Sequence, residues 1–71
     1  MKEVKSISLT PREIEILYKI TEAHNNSEIA KALMVSESTV HKHIENIYRK
    51  FNVHNRVQLI IKAVRLHIIN I

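Results

Sequence analysis

The chain predicts an all-α fold, a four-helix bundle containing a helix-turn-helix, and three observations carry that expectation. Apolar residues recur at three- and four-residue intervals almost throughout, the spacing of one helical face. The 71 residues include no glycine and one proline, so little interrupts a helix. Residues suited to caps and turns stand at Thr10, Asn25-Asn26, Ser36 and Asn52 to Asn55, dividing the chain into four periodic segments. Helices two and three form the helix-turn-helix, and a fourth helix is left for packing and dimerisation.

Residues 1–8 read as a flexible N-terminal arm, and residues 9–71 as one domain. Helix one is expected from about residue 11 to 22. Thr10 can cap it, Pro11 suits the first helical position, Glu13 can close a capping box onto Thr10, and Leu9 can staple onto Ile14. Ile14, Leu17 and Thr21 form one stripe, widened by Ile16, Ile20 and Ala23. Ala23-His24-Asn25-Asn26 breaks the pattern. Helix two follows over 27–34, with Ile29, Ala30 and Leu33 inward; Ala30 is small where two helices approach closely. Met34-Val35-Ser36 makes the next turn, with Ser36 as N-cap and Glu37 complementing the dipole of helix three, 37–51. Asn52 can end that helix, with Val53 packing back. Helix four starts after His54 or Asn55 and is expected to run almost to the C-terminus. Leu59, Ile60 and Ala63, with Leu66 or His67, should face the core. Val57, Ile61, Val64 and Ile68 form a second apolar stripe with nothing left in the domain to cover it, so it is the expected dimer face.

Composition excludes several classes of function. Without cysteine there are no disulfides or thiolate zinc sites, and a reducing cytoplasm is the natural setting. Without glycine, Walker and dinucleotide phosphate loops cannot be built. No apolar run is long enough to span a bilayer, so no membrane partner is expected. No catalytic triad, carboxylate pair or cofactor motif is evident, and an enzyme is not expected. His41 and His43, two apart on a helix, point roughly 200° from each other and cannot share a metal ion. Charge is split along the chain. Residues 1–40 hold five basic and six acidic side chains, whereas residues 41–71 hold six basic residues against Glu45 alone. A basic half suits a polyanion, although lysines on helix surfaces are often merely solvated.

Helix three turns that charge into a motif. Val40, Ile44, Ile47 and Phe51 make its inward face, while Ser38, His41, Lys42, Glu45 and Arg49 face outward. The outward row holds groups that reach base edges and phosphates, which points to duplex DNA. Arg49 could instead pair with Glu45, one turn back. Glu45 could accept from a cytosine amino group or repel phosphates and so exclude wrong sites; both readings stay open.

Leu9-Thr10-Pro11-Arg12-Glu13, Asn26-Ser27-Glu28-Ile29-Ala30 and Val35-Ser36-Glu37-Ser38-Thr39-Val40, with His43, Asn46-Ile47, Lys50, Val53 and Asn55-Arg56, together resemble the LuxR-type (GerE-type) helix-turn-helix domain of bacterial transcription regulators. The likeness covers about residues 9–69. It implies that helix three enters the major groove while helix two lies across the backbone. It implies base contacts from His41, Lys42 and Glu45, to which the outward row adds Ser38. It implies phosphate contacts from Asn26, Ser27, Thr39, Lys50 and Arg56, and the row adds Arg49. Family dimers pair through helix four, in agreement with the Val57, Ile61, Val64 and Ile68 stripe. RNA polymerase is a candidate further partner. The chain departs from the family pattern at four places. Glu45 puts an acid in the groove-facing row, and His41 replaces the usual lysine. Ala23 replaces a glycine, leaving His24 or Asn25 to make the bend. His67 replaces a second glycine, which should let helix four continue.

The function this supports is sequence-specific binding of double-stranded DNA by a homodimer that regulates transcription. A sigma-factor promoter-reading domain is a related alternative. A protein-interaction module, using the apolar face of helix four, comes from a different class.

Overall fold

The computed structural model describes residues 7–69 and contains four helices: α1 (Pro11–Thr21), α2 (Asn26–Leu33), α3 (Glu37–Phe51) and α4 (Arg56–Arg65). Among the described residues there is no strand. Most of the expected arm lies outside the described residues. Its last two residues are tied down: Ile7 packs against the core and the Ser8 carbonyl accepts from Lys50 at 2.8 Å.

Each helix starts on a side-chain cap. Thr10 and Glu13 form the expected capping box, each accepting from the other's backbone N–H at 3.0–3.1 Å. Asn25 and Glu28 form a second box at 2.8–2.9 Å. Asn25 therefore caps α2, which begins at Asn26, one residue before the expected start. Ser36 Oγ accepts from the Thr39 N–H at 3.1 Å, and Asn55 Oδ1 from the Gln58 N–H at 2.9 Å.

The four C-termini share one device. The N–H groups of His24, Val35, Val53 and Ile68 each donate to the carbonyl five residues back, at 2.9–3.1 Å. The residue before each, Ala23, Met34, Asn52 and His67, takes a left-handed φ of 57–68°. This pattern satisfies the last carbonyls of a helix and normally uses glycine, whose missing Cβ removes the steric cost. Two expectations are corrected here. Ala23 makes the first bend itself, not His24 or Asn25. Helix α4 stops at Arg65 because His67 adopts the conformation of the glycine it replaces, so α4 does not run on towards the C-terminus.

The core is one cluster to which every helix contributes. Ile16, Leu17 and Ile20 of α1, Ile29 and Ala30 of α2, Val40, Ile44, Ile47 and Phe51 of α3, and Leu59 and Ala63 of α4 are all buried, joined by Ile69 beyond the last helix. Helix α3 packs against the other three and is the centre of the assembly. The α1 stripe is narrower than expected. Ile14 stays largely exposed, lining an apolar groove with Ile7, Leu9, Leu17, Tyr18 and Ile68, and the Thr21 hydroxyl donates to the Tyr18 carbonyl at 2.6 Å.

The second stripe of the last helix also divides. Val57 and Ile61 are 67 % and 49 % exposed, but Val64 and Ile68 lean on the core. Ile68 lies past the helix end, where helical spacing no longer sets its direction. The expected four-residue outward face is thus a two-residue face. No helix among the described residues is long and apolar enough to cross a membrane.

Candidate nucleic-acid interface

The outward side of α3 is open. Ser38, His41, Lys42, Glu45 and Arg49 are all exposed, opposite the buried Val40, Ile44, Ile47 and Phe51. With 3.6 residues per turn, Ser38, Lys42, Glu45 and Arg49 lie along the middle of this face. His41 sits on one flank and Lys50 on the other, each roughly 90° from the direction of the core.

Pairing within the row differs from the simplest expectation. Arg49 does not reach Glu45; its Nη2 donates to Asn46 Oδ1 at 2.9 Å. Glu45 Oε2 lies 3.0 Å from His41 Nε2, so the acid is matched by an imidazole one turn earlier. At the N-terminus of α3 the hydroxyls of Ser36, Ser38 and Thr39 cluster, with Ser36 Oγ 3.1 Å from Ser38 Oγ and 2.9 Å from Thr39 Oγ1. These short polar groups surround backbone N–H groups at the positive end of the helix dipole.

Two basic residues on the flanks are engaged within the protein. Lys50 Nζ donates to Glu13 Oε1 at 2.7 Å as well as to the Ser8 carbonyl. Glu13 is only 4 % exposed. Burial pushes its carboxyl pKa up, but the bonds from Lys50 and Thr10 outweigh that and hold it below the ordinary carboxylate value. The resulting clasp joins the end of α3 to the start of α1.

Arg56 makes a comparable link. Its guanidinium donates to the His24 carbonyl and, at 3.4 Å, to Asn26 Oδ1. A cation at the first position of α4 opposes the helix dipole, and turning it towards these acceptors in the α1–α2 turn relieves the conflict. The neighbouring Tyr48 phenol has its pKa raised by burial, with Arg56 pulling the other way. Asn26 and Ser27 are half-buried at the start of α2, on the turn that Arg56 braces. His24 itself lies 3.5 Å from Glu22 and 3.6 Å from Glu28.

The fold and this face together define a helix-turn-helix domain, and comparison with known proteins gives the same answer. The model of the GerE family, "Bacterial regulatory proteins, luxR family", matches residues 7–63. The chain belongs to that family. It is 40 % identical over 57 residues to the transcriptional regulatory protein DegU of Brevibacillus brevis, covering 80 % of this chain and 24 % of DegU. It is 44 % identical over 63 residues to the transcriptional regulatory protein LiaR of Bacillus subtilis (strain 168), covering 89 % of this chain and 30 % of LiaR. The chain therefore spans about a quarter to a third of the length of these relatives.

Among solved structures, the transcription factor GerE superposes with a TM-score of 0.77 at 37 % identity, covering 83 % of this chain and 88 % of GerE. The response regulator ChrA of a heme-sensing two-component system superposes with a TM-score of 0.83 at 39 % identity, over 87 % of this chain and 31 % of ChrA. The class is a LuxR-type helix-turn-helix domain of transcription regulators.

Two features of the site were missed in the sequence. Asn46 lies four residues after Lys42 and three before Arg49, a spacing that would have placed it beside the outward row. The Glu13–Lys50 clasp joins residues 37 positions apart and left no local signal.

Proposed function

We propose that this domain binds double-stranded DNA sequence-specifically and regulates transcription in the bacterial cytoplasm, with α3 lying in the major groove. One observation carries the reading. Among the described residues nothing covers the polar row of α3, while the opposite row anchors the helix at the centre of the core. A helix is about 10–12 Å across with its side chains, and the major groove is about 12 Å wide, so the two fit.

In this reading Ser38, His41, Lys42 and Glu45 meet base edges. Asn26, Ser27, Thr39, Arg49 and Arg56 meet phosphates along the rims. Arg56 is suited to that role because its partners among the described residues, a carbonyl and an amide, carry no opposite charge. Lys50 is the weakest phosphate contact of the set, since Glu13 already balances it. Its main work is to hold α3 at its angle.

Val57 and Ile61, one turn apart and exposed, support a homodimer through α4, with Val64 and Ile68 stiffening that face from beneath. The same patch is what a protein-interaction module would use.

Salt dependence separates the two readings. Duplexes selected from a random pool should bind with an affinity that falls steeply with salt. Arg49→Ala, which removes a phosphate contact, should lower the log–log slope by about one unit. A flat slope with unchanged behaviour of Arg49→Ala contradicts DNA binding through this face.

A further inference from the structure

We propose that His41 and Glu45 act together as a reader of cytosine in the major groove, an inference that rests on the DNA-binding reading above. Glu45 is an acid in a row that must approach a polyanion, and Arg49, the arginine one turn on that could have neutralised it, is bonded to Asn46 instead. The group that meets Glu45 is His41, at 3.0 Å between Nε2 and Oε2, and both side chains are about three-fifths exposed. With Oε2 towards the imidazole, Oε1 remains to accept a hydrogen bond from outside.

Major-groove chemistry then narrows the target. A carboxylate only accepts, so it requires a base with an amino group there, and cytosine and adenine are the two that have one. Adenine places its N7 acceptor next to that amino group, and two acceptors repel. Cytosine offers its N4 amino group with a C5–H, not an acceptor, beside it on the same base. Guanine and thymine present acceptors and are rejected. Lys42, the neighbouring donor, has the opposite preference and suits the O6 and N7 acceptors of guanine. Towards this cytosine His41 is a positioning residue, whatever base edge it meets on its own flank. It fixes the direction of the carboxylate.

The test is to select duplexes from a random pool with the 71-residue protein and with Glu45→Ala, Glu45→Gln and His41→Ala, comparing preferences position by position. Wild type should favour cytosine at one position of each half-site by roughly fivefold to 150-fold, the range for a good base contact. Glu45→Ala should flatten that position alone. Glu45→Gln should move it to adenine, because glutamine can bond N6 and N7 together. His41→Ala should keep cytosine but weaken the preference several-fold, with thermal unfolding unchanged because both side chains are exposed. Enrichment by wild type with an unaltered profile in Glu45→Ala overturns the inference and leaves DNA binding standing. An unaltered cytosine preference in His41→Ala overturns the coupling. If wild type enriches no duplex, the proposed function falls and this inference with it.

Discussion

Replacing Ala23 by glycine should stabilise this domain, although the same exchange inside a helix weakens it. Ala23 is exposed and stands at φ 68°. Holding a Cβ in that left-handed conformation costs roughly 1–2 kcal/mol. Glycine removes the cost but gives the unfolded chain more freedom, which returns about 0.4–1 kcal/mol. The middles of the two ranges leave a net gain of about 0.8 kcal/mol. Ala32, also exposed but helical within α2, is the matched control, and glycine there should lose roughly 0.5–1 kcal/mol. The two variants should differ by about 1–2 kcal/mol. At ~4–8 °C per kcal/mol for a domain of this size, the gap in Tm is about 4–16 °C, with wild type between them. Thermal and urea unfolding followed by circular dichroism at neutral pH measure it directly. Ala23→Gly melting at or below wild type would refute the strained-turn account of how α1 ends. The same reasoning extends to Met34 and His67, and least to Asn52, because asparagine tolerates this conformation best.

Lys50→Met should cost about 1–2 kcal/mol, a figure discounted for the partial exposure of the lysine, since it leaves the Glu13 carboxylate buried without its main partner. Combining it with Glu13→Gln should recover part of that loss in a double-mutant unfolding cycle, and strict additivity would show no clasp. Glu13 also sets a pH dependence. Its folded pKa is depressed, so its contribution is fully present above the ordinary carboxylate value of 4.5 and is lost as pH falls through the lower folded value. The stability of Glu13→Gln should therefore fall less than that of wild type in acid; parallel curves in urea unfolding against pH would contradict this. Ile61→Glu should leave a folded monomer with weakened binding to paired half-sites, and sedimentation that still shows a dimer would move the interface elsewhere. Ile61 is the choice over Val64 because Val64 supports the core.

Helix number, order and the inward row of α3 were legible in the sequence because each rests on local spacing. Val40, Ile44, Ile47 and Phe51 announce a buried face, and Thr10 and Ser36 announce helix starts. What escaped was not set by helical spacing. Propensity gives Ala23 and His67 no reason to turn left-handed; the closing bonds behind them make the choice. Helix α4 accordingly ended sooner than its apolar pattern implied, and Ile68 left the stripe. The outward row was visible as a row, but its internal partners were not. Glu45 had both His41 and Arg49 within one turn, and spacing alone does not choose between them. Lys50 shows the deeper limit, since its partner is brought to it only by the packing of α1 on α3.

The central claim is that the outward row of α3 meets duplex DNA, and a nuclear magnetic resonance titration of the labelled domain with a selected duplex tests it most directly. The account predicts that signals of Ser38, Lys42, Glu45, Asn46 and Arg49 shift first and furthest, with smaller changes at Asn26 and Ser27. Shifts confined to α4 around Val57 and Ile61, with the α3 row unmoved at saturating duplex, would contradict it.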